Sequence, residues 1–97
     1  MADWLISKKY KIEKKNMQTP FAELDLFVTT PGGAKAIIEV KAYTPWQSPL
    51  GQRQAARLAR ARLWLEQQYF CPVHCHLVMV RRDETFTMVE EVLASLV

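Results

Sequence analysis

Several features that mark special classes of protein are missing from the sequence. No stretch approaches the roughly 18 consecutive apolar residues that a transmembrane helix needs. Cys71 and Cys75 are the only cysteines, and a single pair does not build a disulfide framework. Residues 1–7 lack the charged start, apolar run and cleavage site of a signal peptide. These absences predict a cytoplasmic protein with no membrane partner.

Internal repeats, low-complexity tracts and interdomain linkers are also absent from the 97 residues. A chain of this length builds one modest domain and is too short for two. The apolar fraction of 49% and the charged fraction of 24% are those of an ordinary globular protein, which argues against a disordered chain. We therefore expect a single domain over residues 1–97.

The net charge is modest, +3 at pH 7, but the charges are unevenly distributed along the chain. Acidic residues gather near the C-terminus, at Asp83, Glu84, Glu90 and Glu91. Basic residues cluster in two segments, which contain Lys8, Lys9, Lys11, Lys14 and Lys15, and Arg53, Arg57, Arg60 and Arg62. Such asymmetry fits a face that binds a polyanion, although a solvated surface explains the charges alone equally well.

Hydrophobic periodicity indicates the order of helices and strands. Alternation of polar and apolar residues predicts strands at residues 10–15, 22–29, 35–42, 73–81 and 85–88. Gly32 and Gly33 predict a tight turn between the second and third strands. Helices are expected at residues 1–9, 51–68 and 89–96, with connections at residues 16–20 and 44–51. This order predicts an α/β fold with a mixed central β-sheet flanked by helices.

The run from Cys71 to His76 places two cysteines and two histidines close together in sequence. On a strand, Cys71 and Cys75 lie on one face, whereas His74 and His76 lie on the other. One metal ion cannot easily collect ligands from both faces of a strand. We therefore expect these residues to occupy ordinary strand positions rather than a metal site.

The hairpin formed by the second and third strands carries charged residues between apolar ones. Alternation places Asp25 on the face of Glu23 and Phe27. The opposite face is expected to carry Leu24, Leu26 and Val28. On the third strand Glu39 and Lys41 share a face, so a suitable register brings them beside Asp25. Charges among so many apolar residues are costly unless they are paired or bind a metal.

Two carboxylates held a few ångströms apart repel each other and form an oxygen-rich site for Mg²⁺ or Mn²⁺. We expect Asp25 and Glu39 to be metal ligands, with the carbonyl oxygen of Val40 as a further ligand. Lys41 would orient or help deprotonate the attacking water and offset negative charge on a phosphate. A cross-strand ion pair among the same charged side chains is the alternative interpretation.

These residues also resemble the PD-(D/E)xK nuclease superfamily, and most closely its YraN-like (UPF0102) family. The family pattern Gly-Glu-Ile-Asp-Leu corresponds to Ala22–Leu26, with alanine in place of glycine, and Val-Glu-Val-Lys corresponds to Ile38–Lys41. Upstream, the pattern Gly-Tyr-x-Ile-Leu-x-x-Asn corresponds to Lys9–Asn16. The Lys-Gln pair of the family's helix corresponds to Arg53 and Gln54. The resemblance covers nearly the whole chain.

The resemblance implies a restriction-endonuclease-like fold and a Mg²⁺- or Mn²⁺-dependent endonuclease that hydrolyses DNA phosphodiester bonds in a resolvase-like, structure-selective way. It implies catalytic roles for Asp25, Glu39, Lys41 and Gln54. Related resolvases act as dimers on symmetric junctions, which implies a homodimer here. The family's first helix carries a glutamate near the active site, and this sequence starts after that position. The alternatives are a catalytically inactive nucleic-acid-binding module of the same fold and a purely structural domain.

The helix at residues 51–68 is expected to carry a cationic stripe. At about 100° per residue, Arg53, Arg57 and Arg60 fall in one arc, with Trp64 beside them. The opposite side is expected to pack on the sheet through Ala55, Leu58, Ala59 and Leu63. The arginines would contact DNA phosphates, and a solvated helix face is the alternative.

A second set of nucleic-acid contacts is expected at Lys8, Lys9 and Lys11, on or beside the first strand. Lysines at the edge of a sheet also prevent strand-to-strand aggregation. The sequence leaves both roles open.

Overall fold

The computed structural model describes residues 2–43 and 50–93. Two helices and five strands make up this part of the chain. In chain order they are α1 (Ala2–Ser7), β1 (Lys11–Gln18), β2 (Glu23–Thr29), β3 (Lys35–Ala42), α2 (Gln52–Tyr69), β4 (Val73–Val80) and β5 (Phe86–Val89). None of the helices in these residues is long and apolar enough to cross a membrane.

The five strands form one sheet in the order β1-β2-β3-β4-β5. β3 and β4 are parallel, and every other neighbouring pair is antiparallel. A parallel pair needs a long crossover connection, and α2 lies within the connection between β3 and β4. The mixed sheet with its helices confirms the predicted α/β fold.

Each face of the sheet carries its own apolar core. The core on the side of α2, called the α2-side core, includes Leu24, Phe27, Ile37, Leu58, Leu65, Cys75 and Leu77. The core on the side of α1, called the α1-side core, contains Leu5, Leu26, Val28, Ala36, Ile38 and Val78. Both faces of β3 and β4 are therefore covered, as the apolar sequence of these central strands predicts.

The turn between β2 and β3 is closed by hydrogen bonds around Thr30. The Gly33 N–H donates to the Thr30 carbonyl oxygen at 2.9 Å, and the Ala34 N–H donates to Thr30 Oγ1 at 3.1 Å. Gly33 has φ 90°, a conformation that residues with a side chain rarely adopt. The prediction that glycine supplies a positive φ angle here is confirmed.

The chain departs from the predicted elements at both ends. β1 continues to Gln18, three residues beyond the predicted strand, because Met17 pairs with Leu24 and is buried in the α2-side core. The predicted helix at residues 89–96 is wrong over its described part. Val89 is the last residue of β5 and pairs with Leu77, and residues 90–93 form turns. Residues 94–97, and residues 44–49 of the predicted connection, lie outside the described residues.

The buried face of α2 also differs from the prediction, and Trp64, expected beside the arginines, packs against the α2-side core. Ala55, Leu58, Ala61 and Leu65 are buried, whereas Leu63 is 57% exposed. The buried residues recur at intervals of three or four, and Leu63 falls outside that arc. Arg62 falls inside the arc, and its buried Nε atom has no hydrogen-bond partner within residues 2–43 and 50–93.

Candidate functional site

Strands β2 and β3 separate at the point where the predicted carboxylates lie. Their backbone pairing runs from Thr29↔Lys35 to Leu26↔Ile38 and then stops. Beyond that point the Asp25 N–H donates to Glu39 Oε2 at 2.9 Å, and the Val40 N–H donates to Asp25 Oδ2 at 2.8 Å. The two carboxylates thus replace the backbone ladder where the strands diverge, and we call this place the fork.

The side chains of β2 do not alternate regularly at the fork. Leu24 packs in the α2-side core, whereas Leu26 packs in the α1-side core. The prediction that Leu24 and Leu26 share a face is therefore wrong. The irregularity has a counterpart in β1, where Asn16 has φ 50° and lies between the residues that pair with Leu24 and Leu26. Asp25 consequently lines a shallow pocket with Ala2, Lys15, Asn16, Leu26 and Val40.

A larger cleft of about 910 Å³ lies on the other side of the fork, against the first turns of α2. It is lined by Ala22, Glu23, Glu39, Lys41, Gly51, Gln52, Arg53, Gln54, Arg57 and Leu58. The fold thus brings together five of the predicted site residues, namely Glu39, Lys41, Arg53, Gln54 and Arg57. Asp25 does not line this cleft, but it meets Glu39 through the hydrogen bonds of the fork.

The amino end of α2 opens into the cleft. Gly51 is the N-cap residue, and no side chain of the described residues caps the helix there. Gly51 and the first three helical residues line the cleft, together with Lys41 and Arg57. The unpaired N–H groups of a helix start carry partial positive charge and add to the charge of the cationic side chains. The cleft therefore combines one buried acid with a cationic wall.

Among the described Asp and Glu residues, Glu39 has the most strongly shifted pKa. Its side chain is buried, with a residue exposure of 5%. Burial raises the pKa of Glu39 to about 7, and the hydrogen bond from the Asp25 N–H opposes this shift. The negative charge of Asp25 raises the pKa further, and the positive charge of Lys41 lowers it. A cation bound beside Glu39 and Asp25 would offset the cost of burying the Glu39 charge and would reduce the repulsion between the two carboxylates.

The donor set at the fork fits a hard divalent cation with a partly hydrated shell. Each carboxylate uses one oxygen to accept a backbone N–H and keeps another oxygen for a ligand. Within residues 2–43 and 50–93, no three His, Cys, Asp or Glu side chains come close enough to hold a metal ion by themselves. Mg²⁺ is commonly held by one or two carboxylates with water and substrate oxygens completing its octahedron. Asp25, Glu39 and the Val40 carbonyl oxygen could supply the protein ligands.

The remaining predicted nucleic-acid contacts lie away from the cleft. Arg60 is exposed on α2 but does not line the cleft. The Lys8 ammonium lies 5.1 Å from the centroid of the Trp4 ring, and α1 packs on the opposite face of the sheet from α2. Lys9 follows α1 on that same side.

Lys11 is also remote from the cleft. It forms an ion pair with Glu13 at 3.5 Å and pairs with Thr29, which in turn pairs with Lys35. Lys35 is roughly 20 Å from Lys41 along β3, at about 3.3 Å per residue. The structure therefore separates the predicted lysine set from the predicted arginine set.

Glu23 lines the cleft beside Glu39, although we predicted no role for this residue. It stands two residues before Asp25 in the motif Ala22–Leu26, and this position is the signal that could have identified it.

The predicted separation on β4 is confirmed for Cys75 and the two histidines, whereas Cys71 precedes the strand. Cys75 is buried in the α2-side core, and burial raises the pKa of its thiol to about 12. His74 and His76 stack with ring centroids 5.9 Å apart and line a pocket with Glu90 and Glu91. His74 Nδ1 contacts the Glu91 carboxylate, and the Glu91 N–H donates to His76 Nδ1 at 3.0 Å. These contacts occupy one nitrogen of each ring.

Comparison with known proteins places the chain in a family. A UPF0102 protein of Thermodesulfovibrio yellowstonii is 49% identical over 39 residues, which span 40% of this chain and 34% of that protein. A UPF0102 protein of Corynebacterium efficiens is 27% identical over 90 residues, which span 88% of this chain and 74% of that protein. The model of the uncharacterised protein family UPF0102 matches residues 1–89. Because this match covers most of the sequence, the chain belongs to family UPF0102.

Proposed function

We propose that this protein is a metal-dependent endonuclease that hydrolyses phosphodiester bonds in DNA. The observation that carries the proposal is that Glu39 belongs both to the fork and to the cleft. Asp25 and Glu39 meet at the fork, while Glu39 and Lys41 open into the cleft beside Arg53 and Arg57. The sequence resemblance to PD-(D/E)xK nucleases supports the same assignment.

The fork would hold Mg²⁺ or Mn²⁺ through Asp25, Glu39 and the Val40 carbonyl oxygen. When bound, such an ion polarises a phosphate oxygen and lowers the pKa of water in its vicinity. Burial of Glu39 matters here because a carboxylate in a poorly solvated site gains more from a neighbouring cation than an exposed one does.

The cleft would hold the phosphodiester. Lys41 stands two residues after Glu39 and would offset the negative charge that develops on the phosphate. Gln54 would orient the attacking water by hydrogen bonding, since its side chain has both a donor and an acceptor. Arg53 and Arg57 would contact the flanking phosphates, with support from the uncapped start of α2.

The test is cleavage of labelled linear, flapped and four-way-junction DNA in the presence of Mg²⁺ or Mn²⁺. Wild-type protein should cut at least one of these substrates, and the divalent ion should be required. Asp25→Ala and Lys41→Ala should each reduce the cutting rate by about 100-fold or more, because each removes a group that acts on the reacting phosphate. Lys14→Ala is the matched control, since it removes one exposed lysine from β1, outside the cleft.

Undiminished cutting by Lys41→Ala would contradict the assigned site. A second function, DNA binding without cleavage, is favoured because no three carboxylates among the described residues come close enough together to hold a metal ion. It predicts salt-dependent DNA binding by a folded wild-type protein that cuts none of the substrates.

A further inference from the structure

An aromatic ring and a guanidinium group stack at the ends of the two parallel strands. Tyr43 directly follows β3, and Arg81 directly follows β4. The Arg81 guanidinium carbon lies 4.7 Å from the centroid of the Tyr43 ring. The Tyr43 ring is not enclosed by this contact, because the residue is 39% exposed.

Backbone hydrogen bonds fix the positions of both residues. The Tyr43 N–H donates to the Val80 carbonyl oxygen at 2.9 Å, which extends the pairing of β3 and β4 beyond Ala42. The Arg81 N–H donates to the Thr85 carbonyl oxygen at 2.9 Å, which anchors Arg81 in the connection to β5. The backbone of both residues is therefore held by hydrogen bonds at the ends of β3 and β4.

Tyr43 does not line the cleft, but it follows the cleft residue Lys41 closely along the chain. It lies two residues after Lys41, and alternate residues of a strand point to the same face. Two residues span about 7 Å along a strand, so the ring lies on the Lys41 side of the sheet at the next step along β3. Met79, which pairs with Lys41, packs against the α2-side core, consistent with this assignment of the face.

We propose that Tyr43, held by Arg81, is a stacking platform for an unpaired DNA base adjacent to the phosphate that Lys41 contacts. This inference rests on the proposed function and adds the substrate class, namely DNA with single-stranded nucleotides beside the cleavage point. An exposed aromatic face attracts an unpaired base of any sequence, because every base has a π-face. A base inside an intact duplex cannot stack in this way, since its neighbours already cover both of its faces.

The charges around the ring fit this partner. Lys41, two residues before Tyr43, lines the cleft with Arg53 and Arg57, and the exposed Arg82 follows Arg81 in the sequence. The nearby Asp83 carboxylate accepts hydrogen bonds from the Thr85 N–H and Oγ1, so it is turned into its own loop. A single strand could therefore follow cationic groups while one of its bases rests on the ring.

The experiment measures binding in the absence of divalent metal, so that it does not depend on cleavage. Fluorescence anisotropy compares a labelled single-stranded oligonucleotide with a blunt duplex. Tyr43→Ala should weaken single-strand binding by about 5- to 100-fold and change duplex binding by less than about twofold. Tyr43→Phe should bind the single strand nearly as wild type does, because the phenyl ring preserves stacking.

A matched control and a site-specific readout accompany the affinities. Tyr69→Ala removes a tyrosine of similar exposure, 40%, from the far end of α2 and should not change single-strand affinity. Thermal unfolding of each variant establishes that it is folded. Photocrosslinking of an oligonucleotide that contains 5-iodouracil should attach the base to the peptide that carries Tyr43 in wild-type protein.

The outcomes separate this inference from the proposed function. If Lys41→Ala abolishes cleavage while Tyr43→Ala binds the single strand normally, the platform is refuted and the nuclease assignment stands. Equal losses of single-strand and duplex affinity in Tyr43→Ala would also refute selectivity for unpaired bases. If wild-type protein neither binds nor cuts DNA, both proposals fail.

Discussion

Among single residues, Glu39 is the carboxyl group whose burial most strongly opposes its negative charge. It is 5% exposed, and burial is the main reason that its pKa rises to about 7. The folded protein therefore holds a proton on Glu39 at pH values where the unfolded chain has released it. The free energy of unfolding falls as pH rises from the unfolded pKa near 4.5 to the folded pKa near 7, because the unfolded state binds fewer protons in that range.

Glu39→Gln should remove this dependence in metal-free protein. Glutamine keeps an oxygen that accepts the Asp25 N–H but carries no charge. We expect the variant to gain stability relative to wild type as pH rises from about 4 to about 8, by on the order of 2 kcal/mol. Urea unfolding across this range, with chelator present, measures the difference. Glu23→Gln, which removes an exposed carboxylate of the cleft, is the control, and its difference in unfolding free energy from wild type should not change with pH. If the difference for Glu39→Gln also does not change with pH, the buried charge is contradicted.

Among the elements, α2 ends in a backbone conformation that is energetically unfavourable for its residue. The helix ends at Tyr69, and the following Phe70 adopts a left-handed conformation with φ 55°. Glycine is the usual residue here, because a Cβ atom in this conformation costs about 1 kcal/mol. Phe70 gains little in return, since it is 92% exposed. The aromatic side chain therefore contributes little apolar burial to the fold.

Phe70→Gly should stabilise the protein by about 1 kcal/mol, because it relieves the left-handed strain without removing a packed side chain. For a domain of this size the expected rise in melting temperature is about 4–8 °C. Differential scanning calorimetry provides the measurement. Phe70→Ala keeps the Cβ atom and should leave the melting temperature almost unchanged, so an equal rise in both variants would point away from backbone strain.

For the whole molecule, the segment after β4 links the two faces of the sheet. Phe86 and Met88 of β5 pack against the α1-side core, whereas Val92 and Leu93 are buried in the core on the α2 side. His76 is one attachment point within β4, because its Nδ1 atom accepts the Glu91 N–H. β5 and the turn that follows it thus cover both cores.

The stability that this packing provides should depend on pH. Burial lowers the pKa of His76, while the carboxylates of Glu91 and Glu90 raise it and His74 lowers it further. A depressed pKa means that stability is present above the unfolded value near 6.5 and is lost as pH falls through the folded value. His76→Asn should keep an acceptor for the Glu91 N–H while removing this loss.

The measurement is the free energy of unfolding of wild type and His76→Asn from about pH 7.5 down to about pH 5. The wild type should lose more stability than the variant over this range. His74→Asn is the comparison at the neighbouring, more exposed histidine. Parallel curves for wild type and His76→Asn would show that His76 does not govern the acid side of the stability profile.

Periodicity predicted the central strands and α2 because their apolar residues pack within one regular element. It could not reveal the irregularity at Asp25, which lies opposite the positive φ of Asn16 in the neighbouring strand. The predicted C-terminal helix failed for a related reason. Val89 and Val92 have helical spacing, but Val89 pairs with Leu77, and the Val92 N–H donates to the Cys75 carbonyl oxygen. Tertiary hydrogen bonds to β4 overrode the local pattern.

The fork has a practical consequence for the design of inactive variants. Asp25 and Glu39 close the gap between β2 and β3 with the same carboxylates that are proposed to hold the metal. Alanine at either position would leave a backbone N–H without its acceptor, so a loss of activity would be mixed with a loss of structure. Lys41 forms no side-chain hydrogen bond with the described part of the chain. Its substitution is the cleaner reagent for trapping an intact protein on uncut DNA.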